Sequence, residues 1–199
     1  PVTEETDHID ISEAVVSLYK TSYNNSGTDG DRVRLEKGRR LLSPRAGDTL
    51  IVKFEGGPTL SIYLDVVKNG ELMFNPEEID HYAFRYNRTV MIDDRPHVEV
   101  RFMPHTTCPY ALYEGLLYID QATRTISRAE FSLDMSDRLK ATQAMLRKKP
   151  AGLRFRPERL AFLVTYRPQS DGRSSLAYVR CETAFRCDWR RRLFATTYA

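Results

Sequence analysis

Residues Gly115–Asp137, GLLYIDQATRTISRAEFSLDMSD, decide the fold. Leu117 and Ile119 fall on one side of an extended chain, Leu116 and Tyr118 on the other. After a polar break at Asp120–Thr125, Ala129, Phe131 and Leu133 alternate with Arg128, Glu130 and Ser132. A two-residue period on both sides of a short polar break predicts a β-hairpin with one buried face. Ser136 or Asp137 then stands where a helix cap belongs, ahead of DRLKATQAMLRKK, in which Leu139, Ala141, Ala144 and Met145 predict an amphipathic helix. That helix should end before Pro150 with Arg147, Lys148 and Lys149 in its last turn, where cations suit the helix dipole.

The same alternation extends outward from this hairpin. Tyr82, Phe84 and Tyr86 alternate with Ala83 and Arg85, and Val98, Val100 and Phe102 with Glu99 and Arg101. Met91–Pro96 between them reads as strand, tight turn, strand. Leu160–Tyr166 and Leu176–Trp189 predict two more strands, and Leu193–Tyr198 a last one. Nearer the start, Ala14, Val15, Leu18 and Tyr19 after Ser12 and Glu13 predict a helix ending near Tyr23. NNSGTDGD follows as a turn, 33–43 as a short strand and Leu50–Phe54 as another. TLSIYLDVVKN fits either period, with Pro58 favouring a helix, and Asn75–Asp80 reads as a helical turn. These elements predict one α+β domain over residues 1–199. Its body is a curved, mainly antiparallel, half-barrel-like meander, with helices near 12–22 and 137–148.

One face of such a sheet is apolar and has to be covered or filled. Phe84, Phe102, Phe131, Phe162 and Trp189 are the side chains placed to do so, or to line a cavity for an apolar ligand. The net charge of +3 hides an asymmetry: residues 1–137 hold 15 Lys and Arg against 23 Asp and Glu, and residues 138–199 hold 15 against 4. Arg147, Lys148, Lys149, Arg154 and Arg156 are therefore candidates for binding an anion such as a lipid headgroup or an acidic partner. The alternative is that these cations are solvated, or paired with the acidic part of the chain. No recognisable nucleic-acid-binding module accompanies them, so no nucleic acid is expected.

Several segments carry a resemblance: EAVVSLYKTSY, DRVRLEKGRR, GGPTLSIYLDVVKN, the run from Gly115 through RKKPAGLRF, and RCDWRRRLFATTY. Together they resemble Gram-negative envelope proteins described as carboxypeptidase-like regulatory-domain-containing proteins. The likeness lies with the region downstream of the β-sandwich regulatory module. It implies an exported precursor whose signal peptide and upstream module precede Pro1, and a periplasmic or outer-membrane-surface location. The hairpin motif is also similar to the half-barrel sheet of periplasmic lipoprotein-localisation factors, in which a curved sheet can hold an acyl chain. Neither resemblance transfers catalytic residues. The expectations are a non-enzymatic envelope binding or assembly domain, with an acyl-chain carrier as the alternative and a hydrolase with an unrecognised site behind it.

The motifs of the chain agree with that order. The chain holds no G-x-S-x-G elbow, H-E-x-x-H, P-loop, Rossmann glycine fingerprint or C-x-x-C pair. His97 and Glu99, two apart on one strand face, could share a metal with a third ligand, but exposed strand residues are the commoner reading, so no metal or cofactor is expected. Asp93-Asp94 and Glu77-Glu78 are adjacent carboxylates, the first pair suited to a turn. Cys181 and Cys187 would stand ~20 Å apart on one strand, too far to bond, and read as buried thiols. Cys108 reads as a loop residue. No run approaches the ~18 apolar residues of a membrane span.

Overall fold

The computed structural model describes residues 10–22, 30–42, 51–52, 62–69, 73–74, 76–149, 151–169 and 174–189. Its strands are β1 (Asp10–Tyr19), β2 (Arg32–Leu42), β3 (Ile51–Val52), β4 (Tyr82–Ile92), β5 (Arg95–Pro104), β6 (Tyr113–Asp120), β7 (Ile126–Leu133), β8 (Leu146–Lys148), β9 (Leu153–Pro168) and β10 (Ser174–Trp189). One α-helix, α1 (Arg138–Met145), lies between β7 and β8. A six-stranded sheet in the order β10-β9-β7-β6-β5-β4 forms the body, and β1–β2 and β3–β8 are separate two-stranded sheets. Every pairing among the described strands is antiparallel. The α+β architecture dominated by an antiparallel sheet is thus as expected from the sequence.

Turn chemistry explains why the meander closes where it does. Asp93 and Asp94 both take positive φ, 48° and 59°, as a two-residue hairpin turn of the primed type demands. Aspartate tolerates that conformation better than most residues. In the β6–β7 turn, Asp120 Oδ1 accepts from the backbone N–H of Ala122 at 2.8 Å and of Thr123 at 3.0 Å. These bonds to the charged form outweigh the effect of burial and hold the Asp120 carboxyl below its ordinary range, with Arg95 and His97 adding to the effect.

The inter-strand register sorts residues onto two faces. Phe102, Gly115, Phe131 and Phe162 share one row, and Val100, Leu117, Ala129 and Val164 the next. This apolar face is covered by Ala141 and Met145 of α1, by Leu64, Val66 and Met73 of the preceding segment, and by Cys108 and Leu112. Phe102 packs edge-on against Phe74 and Tyr82, and Phe131 lies 5.1 Å from Phe162 between ring centroids. Gly115 interrupts the aromatic row for a steric reason. A Cβ there would stand 2.0 Å from the Glu130 carbonyl oxygen and 2.7 Å from Phe131 Cα.

The β1–β2 hairpin docks through buried charge. Lys20, just after β1, binds Asp65 and lies 3.5 Å from Asp31, just before β2. Lys68 binds Asp31 and donates to the Thr21 carbonyl at 3.0 Å and hydroxyl at 2.7 Å. Tyr166 of β9 donates its hydroxyl to Asp65 Oδ1 at 2.9 Å and accepts from the Val67 N–H at 3.3 Å. The side chains of Asp31, Asp65 and Lys68 are fully buried. Burial alone would raise the Asp31 carboxyl, but hydrogen bonds from Lys68 and Thr21 and the charge of Lys20 win, lowering its pKa to about 2.

Several expectations are corrected. Residues 12–19 belong to strand β1 instead of a helix. Their β-branched and aromatic members suit a strand, and pairing with β2 satisfies the backbone. The helix read over 137–148 ends at Met145, and Leu146–Lys148 turn away to pair with β3, so the basic run lies outside the helix. In 62–69 only Ile62 and Tyr63 are helical, and turns follow at Leu64 and at Val66–Lys68. Phe84 is 41% exposed near the sheet edge, outside the core where Phe102, Phe131 and Phe162 lie. Cys187 is exposed, Cys181 half-buried and Cys108 buried, which reverses their expected order. The Trp189 side chain, most of Leu50–Phe54 and the strand read over Leu193–Tyr198 lie outside the described residues.

Candidate functional site

The apolar face is covered, whereas the opposite face of the six-stranded sheet carries charged side chains that are largely exposed at its edges. Its rows follow from register. Arg85, Arg101, Leu116, Glu130, Leu163 and Arg180 form one, and Arg88, Glu99, Tyr118, Arg128 and Thr165 the next. Glu114, Ser132, Ala161 and Glu182 form a third. A groove of about 270 Å³ crosses this face, lined by Glu114, Leu116, Arg128, Glu130, Arg159 and Arg180 among others. Its charges are interleaved and paired: Arg128 with Glu130 at 2.5 Å, Arg159 with Glu182 at 3.2 Å and Arg180 with Glu182 at 3.1 Å. Arg128 also stacks over the Tyr118 ring, 5.4 Å from its centroid. The whole side is a polar platform with aliphatic floor residues.

An acid and a histidine are sunk into the platform. Glu99 is 1% exposed and accepts from Arg88 Nε at 3.2 Å and Nη2 at 3.4 Å, and from the Asn87 amide. Burial would raise its carboxyl, yet these hydrogen bonds and the Arg88 charge bring it below its ordinary value. His97 is buried as well, donating from Nδ1 to the Arg95 carbonyl at 2.8 Å with Nε2 3.9 Å from Asp120 Oδ2. The reading of His97 and Glu99 as exposed strand residues is therefore corrected: the β4 bulge at Tyr86/Arg88 and the β6–β7 turn cover them. Among the described residues no group of three or more His, Cys, Asp or Glu is placed to hold a metal ion.

The basic candidates are scattered by comparison. Arg147, Lys148 and Lys149 are exposed, and Lys149 donates to the Leu153 carbonyl at 2.6 Å. Arg154 and Arg156 point outward from the start of β9, opposite Asp188 and Arg186 of β10. Arg156 lies 3.5 Å from Asp188, a partial neutralisation. Arg147, Lys148 and Arg154 have no ion-pair partner among the described residues. The aromatic candidates Phe102, Phe131 and Phe162 are brought together but fill the core. The sequence reading missed the platform because its arginines and glutamates looked like ordinary outward residues of separate strands. A charged alternate position in every central strand was the available signal.

A second depression, about 210 Å³, lies beside the start of α1 and is lined by Thr106, Cys108, Tyr110, Asp134, Ser136, Asp137 and Lys140 among others. Asp137 caps α1 by accepting from Leu139 N at 2.9 Å and Lys140 N at 3.1 Å, and Asp134 accepts from Ser136. These acids are committed to local backbone geometry, and no histidine hydrogen-bonds to Cys108 among the described residues. No helix among them is long and apolar enough to cross a membrane. Comparison with protein-family models, curated proteins and solved structures finds no match.

Proposed function

We propose that the chain is a non-enzymatic binding or assembly domain of the bacterial envelope, acting at the periplasmic side or surface of an outer-membrane-associated protein. The observation that supports this reading is the asymmetry of the sheet. One face is filled by the protein's own side chains, and the other is an open platform on which arginine and glutamate alternate and are paired along the groove. A carrier needs an apolar cavity of several hundred Å³. Here the equivalent space holds Leu64, Met73, Phe102 and Met145, each at most 1% exposed. A platform of interleaved arginine and glutamate suits recognition of a protein surface, where charge complementarity sets register and partner choice. The envelope location rests on the sequence resemblance.

The test is site-specific photo-crosslinking in the envelope fraction. A crosslinker at Leu163 or Arg180 should capture a defined envelope protein, whereas one at Leu139, exposed on α1, should not. Capture only from Leu139, or stoichiometric acyl lipid retained in native mass spectrometry, would overturn the proposal.

A further inference from the structure

One end of the platform carries charge that no carboxylate among the described residues balances. β4 and β5 set Arg85 directly opposite Arg101. Opposed residues in an antiparallel pair stand about 4.5–5.5 Å apart at Cα, and like charges there repel. Both side chains are exposed, and neither has a carboxylate partner among the described residues. Leu116 is the next residue in the row, and the acid beyond it, Glu130, is held by Arg128. Repulsion of this kind is unfavourable, and no acid among the described residues offsets it.

The adjacent row supplies a fixed third cation. Arg88 stands opposite Glu99 and is held by it through Nε and Nη2, yet its side chain is 68% exposed. A buried carboxylate thus pins one end of the guanidinium while its remaining N–H groups face solvent. Tyr118, beside Glu99 on β6, adds a ring to the floor and no further acid.

We propose that Arg85, Arg88 and Arg101 form a binding site for a phosphate group. The inference deepens the reading of the platform as a binding surface and rests on it. Guanidinium forks match phosphate oxygens in geometry and hold their charge at any relevant pH. The charge count also fits: three guanidinium charges less the Glu99 carboxylate leave two, and a phosphomonoester carries about −1.5 to −2 at neutral pH. The group is carried either by a small soluble phosphate or by a lipid headgroup, and the same contacts would serve both.

The experiment measures binding of inorganic phosphate by calorimetry. In parallel it measures flotation with phosphatidylcholine vesicles containing phosphatidic acid, against phosphatidylcholine alone. Wild type should bind at least one probe, and R85Q and R101Q should each weaken that binding about tenfold or more. Melting measured without phosphate should be unchanged or slightly raised in both variants, because the opposed like charges are relieved. Binding to acidic vesicles alone, lost in the variants, supports a lipid-borne phosphate. Absence of binding to either probe overturns the proposal, as does binding that survives in R85Q and R101Q or a clear fall in Tm. Vesicle binding that survives there and is lost in K148E assigns it to the Arg147–Lys149 run instead. Crosslinking from Leu163 reads independently: retained crosslinks with no phosphate binding sink only this site, and phosphate binding without crosslinks sinks only the assembly reading.

Discussion

At Gly115 the neighbouring strand leaves no volume for a side chain, since a Cβ would overlap the Glu130 carbonyl. The Gly115→Ala variant must push β6 and β7 apart in the middle of the sheet. Overpacking of this kind costs about 1–3 kcal/mol, and urea unfolding should show a lower midpoint with an unchanged slope. Asp31 illustrates the opposite kind of constraint, an ionised group that is needed where it is. Its pKa falls from 3.8 to about 2 on folding, so it stabilises the fold above pH ~4 and loses that contribution as pH drops toward 2. In Asp31→Asn, Lys20 and Lys68 lose a buried counter-charge, a change expected to cost about 3 kcal/mol or more at neutral pH. Melting curves of wild type and variant should differ most near pH 7 and converge as pH approaches 2.

Among the elements, the β4–β5 turn is open to improvement. Two aspartates at positive φ are tolerated, but Asn-Gly is the pair that this turn type favours. Replacing Asp93-Asp94 by Asn-Gly should raise Tm by one to a few degrees, consistent with a gain of about 0.5–1 kcal/mol. Calorimetry showing a lower Tm would contradict the assignment of the turn. The hairpins were legible in the sequence because a half-buried strand writes its face at every second residue. The stretch at 12–19 was not, because Ala14, Val15, Leu18 and Tyr19 satisfy a helical spacing while pairing with β2 decides the outcome. Propensity yields to a partner that local sequence does not reveal. The platform was legible only in part: each strand shows its charges, but that Arg85 faces Arg101, or Arg88 faces Glu99, becomes readable only when the strands are in register.

At the scale of the whole molecule, part of the positive charge of residues 138–199 is balanced by acids of that same segment. Arg154 and Arg156 face Asp188, and Arg186 lies 2.6 Å from Glu158. The exposed run Arg147–Lys149 remains outside this compensation apart from one backbone contact. Replacing Lys148 and Lys149 by Glu should therefore leave Tm within about a degree of wild type, since exposed ion pairs are worth only ~0–1 kcal/mol. Any binding to acidic vesicles that depends on these lysines should fall steeply between 0.01 and 0.15 M salt, as the screening length shrinks from ~30 to ~8 Å. A double variant that unfolds would instead make the lysines internal struts.

The bond between Tyr166 and Asp65 spans 101 residues of chain, whereas β4, β5, β6 and β7 are joined as consecutive hairpins. Order of assembly follows from that difference. Closing short loops is entropically cheap, so the hairpin meander is the natural place for contacts formed at the rate-limiting step. The long-range bond belongs to what forms afterwards. Tyr166→Phe should then speed unfolding while leaving the refolding rate nearly unchanged. Leu117→Ala in the meander should slow refolding as well, and stopped-flow chevrons of the two variants would separate them. The charged latch that seats the first hairpin thereby governs how long the folded molecule lasts, and has little say in how quickly it is made.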